Sequence, residues 1–115
     1  MWMTQILMIF AALSGALAVG AGAFGAHGAT GAAAEWLKTG GQYQLIHAVA
    51  ALAVLRLDAK GPASLFLIGG AIFAVSLYLM ALGLPRWLGA VTPIGGALLI
   101  IGWLWLAWIA LRTPG

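Results

Sequence analysis

Two histidines, His27 and His47, are the side chains in this sequence best suited to chemistry. Imidazole ligates metal or haem and relays protons near neutral pH. Tyr43 and Gln44 precede His47 by four and three residues, so on a helix all three share one polar face. His27 is expected to close the first apolar run and His47 to lie about one turn into the second, so both approach the same membrane interface, the outer one in this topology, where they could meet. Two uses are open. The histidines handle a metal, a haem or a proton, or they are structural: His27 bonds the unpaired carbonyls at a helix end, while Gln44 and His47 tie helices together. The chain has no cysteine, and zinc sites generally use three or four protein ligands, so His27 and His47 form an incomplete shell even if Glu35 swings in as a third donor. No metal and no cofactor is therefore expected; these two histidines are the only candidates for either.

Other polar groups inside the apolar runs are Gln5, Ser14, Ser64, Ser76, Tyr78 and Thr92. Ser76 and Tyr78 lie about 200° apart on a helix and cannot easily form one cluster. Thr92 followed by Pro93 reads as a helix start, with Thr as N-cap and Pro at N1. Gly20 to Gly25 spells G-x-G-x-x-G, but it ends an apolar helix with no strand before it, so nucleotide binding is rejected. There is no Ser-His-Asp set, no paired carboxylates and no P-loop. An enzyme is the least favoured class.

The elements that must position these residues are set by charge. Only seven of 115 residues are charged (Glu35, Lys38, Arg56, Asp58, Lys60, Arg86 and Arg112), and all sit at breaks between apolar stretches. With 64% hydrophobic and 6% charged residues, the chain is far from the roughly one-quarter charged residues of a soluble domain. The reading is an all-α integral membrane four-helix bundle, one domain over residues 1–115. Spans are expected at about 2–24, 42–57, 62–82 and 93–111, near the roughly 20 residues needed to cross. The second is short. A short interfacial helix is expected between the first two spans, over Ala32 to Lys38. The apolar start has no basic segment before Trp2 and outruns the roughly 7–15 residues of a signal core, so it is expected to be retained.

Four spans put Arg56, Lys60 and Arg112 on one side against Lys38 and Arg86 on the other, favouring both termini in the cytoplasm. The net charge of +3 comes from isolated residues, so no nucleic-acid surface is implied. No span carries Asp, Glu, Lys or Arg, which argues against a carrier driven through an intramembrane carboxylate. Ala12, Ala16 and Gly20, with Gly15, Gly22 and Gly25 nearby, form a small-residue surface on the first helix; Gly70 on the third, and Gly95, Gly96 and Gly102 on the fourth, offer similar ones. These are expected to pack helices within the bundle, or else between copies in a homo-oligomer.

Four strings, GAFGAH at Gly22 to His27, YQLIHA at Tyr43 to Ala48, FAVSLY at Phe73 to Tyr78 and TPIGG at Thr92 to Gly96, together resemble the small bacterial inner-membrane proteins of the domain-of-unknown-function family DUF423 (UPF0382). The resemblance implies a four-helix inner-membrane protein with both termini cytoplasmic, and implies no established activity. The chain departs from the family in having only Arg112 near its C-terminus, and Ala74 and Val75 where Ser and Gly are common. Because His27, Tyr43, Gln44, His47, Ser76, Tyr78, Thr92 and Pro93 fall on the shared strings, they are the ligand-binding candidates. The expected function is a non-enzymatic membrane protein that binds lipid or a small apolar ligand, or serves as an accessory subunit of a larger membrane complex. The alternative is a transport or redox module using His27 and His47.

Overall fold

A computed structural model of the protein describes residues 2–114. The described residues form four α-helices, α1 (Trp2–His27), α2 (Gly31–Leu55), α3 (Lys60–Ala81) and α4 (Thr92–Arg112), with a 3-10 helix at Arg86–Ala90 before the last. The all-α bundle is the architecture that the apolar runs require, since backbone groups in lipid must be paired within the segment. α2 and α3 form the central pair, α1 packs on α2 with a smaller contact to α3, and α4 packs on α3. The bundle measures 49 × 24 × 22 Å.

Three segments, Trp2–His27, Lys60–Ala81 and Arg86–Arg112, are long and apolar enough to cross a membrane. α2 is not among them, because it carries Glu35, Lys38, Gln42 and Gln44; it nevertheless runs between α1 and α3 and shares their surroundings. The surface is correspondingly greasy. Leu13, Ile100 and Leu104 are each more than 60% exposed, which suits contact with acyl chains and not with water.

The structure corrects the expected layout between the first two helices. Residues 32–38 do not form a separate interfacial helix; they are the first turns of a continuous α2, and the link from α1 is only residues 28–30. Sequence reasoning took Gly40 and Gly41 as the break. Instead they are packing points. A Cβ on Gly41 would sit 2.8 Å from the Ala18 carbonyl oxygen, and one on Gly40 would lie 2.7 Å from the Tyr78 ring, so each glycine lets a neighbouring helix reach the α2 backbone.

Helix ends follow from local chemistry. The Gly28 and Ala29 amides both return to the Phe24 carbonyl, closing α1. α2 ends in a Schellman turn: Ala59 N–H donates to the Val54 carbonyl and Asp58 N–H to Leu55, with Asp58 at φ 60°. α3 ends the same way, Leu84 bonding Leu79 and Gly83 bonding Met80, with Gly83 at φ 98°. Thr92 differs from its expected role. The N-cap of α4 is Val91, which is already in the right-handed helical region as the 3-10 helix runs on, so Thr92 lies inside the helix with Pro93 after it, and its hydroxyl caps nothing.

The core is built from small residues and one large ring. Ala51, Ala63 and Ala74 are fully enclosed at helix crossings, and Phe66 fills the centre between α2, α3 and α4. Of the expected packing glycines, Gly25, Gly95 and Gly102 are tight: added Cβ atoms would press on Leu37, on the Phe73 backbone and on the Phe66 ring respectively. Gly15, Gly70 and Gly96 meet neighbours only at ordinary contact distance, while Gly22 supplies backbone against which Gly41 rests. A Cβ on Gly20 would meet nothing within 4 Å among the described residues, because Gly20 faces outward from α1.

Candidate functional site

His47 occupies the middle of α2, not its first turn, and is buried. Its Nδ1 lies 2.7 Å from the Tyr43 carbonyl oxygen, and the Trp103 indole N–H donates to its Nε2 at 2.9 Å. Both bonds form together when the ring proton sits on Nδ1, which donates to the carbonyl and leaves Nε2 as acceptor. Around the imidazole are the rings of Tyr43, Phe66 and Trp103, with centroids 6.4, 5.5 and 5.8 Å away. Neither ring nitrogen has a spare lone pair for a metal in this arrangement.

Four more of the polar candidates are paired, while the Tyr43 side chain is exposed beside the Phe73 ring. The Tyr78 hydroxyl donates to Gln44 Oε1 at 2.7 Å, both side chains being buried. Ser76 Oγ donates to the Phe73 carbonyl at 2.9 Å and lies 2.6 Å from Thr92 Oγ1. Since Ser76 has one proton and gives it to Phe73, Thr92 is the donor in that second bond. As the 200° separation required, Ser76 and Tyr78 serve different partners. Among the described residues no buried side-chain nitrogen or oxygen lacks a partner.

Each pair joins a different two helices: His47 and Trp103 tie α2 to α4, Gln44 and Tyr78 tie α2 to α3, and Ser76 and Thr92 tie α3 to α4. α1 takes part in none of them. It is held by close packing at Gly25, Ala18 and Ala11. His27 is exposed at the end of α1 and makes no side-chain hydrogen bond among the described residues. It does not meet His47: Gly25 abuts Ala34 and Leu37, whereas Leu45 approaches Gly15, so the two imidazoles are roughly 20 Å apart along the antiparallel pair. The expected convergence failed because α2 starts eleven residues earlier than the expected span, at Gly31 and not near Gln42, which moves His47 to mid-bundle. Among the described residues no group of three His, Cys, Asp or Glu side chains gathers to hold a metal.

Sequence reasoning missed Phe66 and Phe73, and Trp103, which is partly exposed but reaches in to His47 and Phe66. A signal for Trp103 was present. It lies well inside the last span and follows Gly102, and a Trp at that depth needs a partner for its N–H.

One opening with a nearly pure apolar lining avoids all of these residues. It is a groove of about 370 Å³ between α1 and α3, bounded by Leu7, Phe10, Ser14, Ser64, Leu67 and Ile72.

Three of the four resembling strings thus supply the polar ties between α2, α3 and α4, and the family described as "Protein of unknown function (DUF423)" matches residues 21–96, which hold all four. The chain belongs to the DUF423 family. A UPF0382 membrane protein of Staphylococcus epidermidis is 38% identical, over 96% of this chain and 99% of its own length. One of Haemophilus influenzae is 40% identical over 89% of this chain and 90% of its own. The UPF0382 inner membrane protein YgdD of Escherichia coli is 38% identical over 87% and 85%. No solved structure matches. In this DUF423 chain every polar tie except Trp103 falls within the matched residues.

Proposed function

We propose that this DUF423 membrane protein is non-enzymatic and holds the acyl chain of a bilayer lipid in the groove between α1 and α3. The groove itself carries the reading. It is apolar and opens toward the lipid, because α1 seats on α2 and leaves Ile68 and part of Ile72 on α3 uncovered, with buried Leu67 beneath them. The lattice around His47 supports it by subtraction: both imidazole nitrogens, the Tyr78 hydroxyl and Gln44 Oε1 are engaged in hydrogen bonds within the bundle. A service as accessory subunit in a membrane complex fits the same surface. Filling the groove tests the lipid reading. Ala71→Trp is expected to lower the phospholipid retained per protein after gentle detergent extraction, measured by mass spectrometry of the lipid extract; equal retention by the two proteins overturns it.

The protein resides in the bacterial cytoplasmic membrane with both termini inside the cell on this reading. Support comes from Arg56, Lys60 and Arg112 at the end that carries the termini, against Lys38 and Arg86 at the other. A phosphatase fused after residue 115 is expected to be inactive, and a fluorescent protein there to glow; the opposite pattern reverses the orientation.

A further inference from the structure

The face made by α1 and α2, on the opposite side of α1 from the groove, carries polar groups where lipid cannot satisfy them. Glu35, Lys38, Gln42, Leu45, Val49 and Leu52 follow one another at alternating three- and four-residue steps and all are exposed, forming one straight stripe along α2. The Trp36 ring under the Arg86 guanidinium marks one membrane boundary, and Arg56 with Lys60 marks the other. Along α2 that interval rises about 30 Å, the thickness of the hydrocarbon layer. Gln42 therefore lies about 9 Å inside the hydrocarbon. Its side-chain amide has no hydrogen-bond partner among the described residues, and an amide left so in an apolar medium is costly.

We propose that this face pairs two copies of the chain, side by side in the same orientation, with the two Gln42 amides bonded to each other across a two-fold axis. Under such an axis each residue meets its own counterpart at the same depth. The two Gln42 side chains can each donate N–H to the other's carbonyl oxygen. Glu35 and Lys38, joined within one chain at 3.1 Å and both exposed, give the face both signs of charge, so each copy's acid can also reach the other's amine. Beside the stripe runs a shallow groove floored by Gly22 and Gly41, where α1 and α2 touch backbone to backbone; it gives room for the partner's Leu45. Alternating three- and four-residue steps are the spacing of a left-handed helix pair. The proposal does not rest on lipid binding, because the α1/α3 groove stays open when this face is covered.

The absence of native cysteine makes the test direct. Leu45→Cys, Val49→Cys and Leu52→Cys, oxidised in native membranes, are expected to give a disulfide-linked product of twice the 11.8 kDa monomer, while Ile68→Cys and Ile100→Cys on α3 and α4 are not. All five positions are exposed, so folding is preserved. Gln42→Leu, in the Val49→Cys background, is expected to lower dimer yield roughly tenfold by dilution in lipid. Equal linkage at all five positions, linkage only on α3 or α4, or linkage of the α2 positions to a different protein would each overturn the proposal. Ala71→Trp is expected to leave linkage through Val49→Cys unchanged, which separates failure here from failure of the lipid reading.

Discussion

At the scale of single residues, the interior is organised by what each polar atom must find once water is gone. Trp103→Phe removes the donor to His47 Nε2 and leaves that nitrogen unpaired beside the Phe66 ring, so unfolding in detergent is expected to become easier by about 1 kcal/mol. His47→Ala is worse, about 2 kcal/mol or more, because a cavity among aromatic rings joins the lost bonds. The Gln44 and Tyr78 pair is suited to a double-mutant cycle: Gln44→Leu and Tyr78→Phe together are expected to cost less than the sum of the singles, with a coupling of about 0.6 kcal/mol. A coupling of zero would mean that the 2.7 Å contact contributes nothing. The polar candidates themselves were legible in the sequence, since Tyr, Gln, His, Ser and Thr stand out in an apolar chain. Their partners were not. Which of six tryptophans brings its N–H to His47 depends on how α4 rotates against α3, and that is set by contacts at Gly95 and Gly102, not by the tryptophan's own neighbours in sequence.

At the scale of elements, glycine has three separate meanings here, and only the fold tells them apart. Gly95 is a contact point: an added methyl meets the Phe73 backbone, which cannot move aside, so Gly95→Ala is expected to cost several kcal/mol and to separate α3 from α4. Gly20→Ala, with open space around it, is expected to stabilise the monomer in detergent by about 0.5 kcal/mol or more through helix propensity alone. Gly83 is conformational. With φ at 98°, Gly83→Ala is expected to cost about 1–2 kcal/mol, whereas Asp58→Gly, at φ 60° in the equivalent turn, is expected to gain part of that, since the exposed Asp58 and Lys60 pair it gives up is worth little. Thermal or denaturant unfolding of the four variants in one detergent would check the ranking. Helix count and three of four helix positions could be read from apolar runs bounded by charge. α2 could not, because Gly40 and Gly41 look like a break locally, yet their cost to the helix is offset by the approach of α1 and α3.

For the whole molecule, the arrangement is a central pair of helices with one flanking helix on each. Polar bonds unite α2, α3 and α4, and the flank made by α1 bounds both the lipid-facing groove and the proposed contact face. Because α1 is joined by shape alone, through Gly25, Ala18 and Ala11 against α2, nothing buried would be orphaned if it came away. The chain should therefore tolerate being made in two pieces. Residues 1–28 and 29–115, expressed as separate fragments, are expected to find one another in the membrane and copurify, and Gly41→Leu, which blocks the backbone meeting with Ala18, is expected to abolish their reunion while the larger fragment keeps its fold.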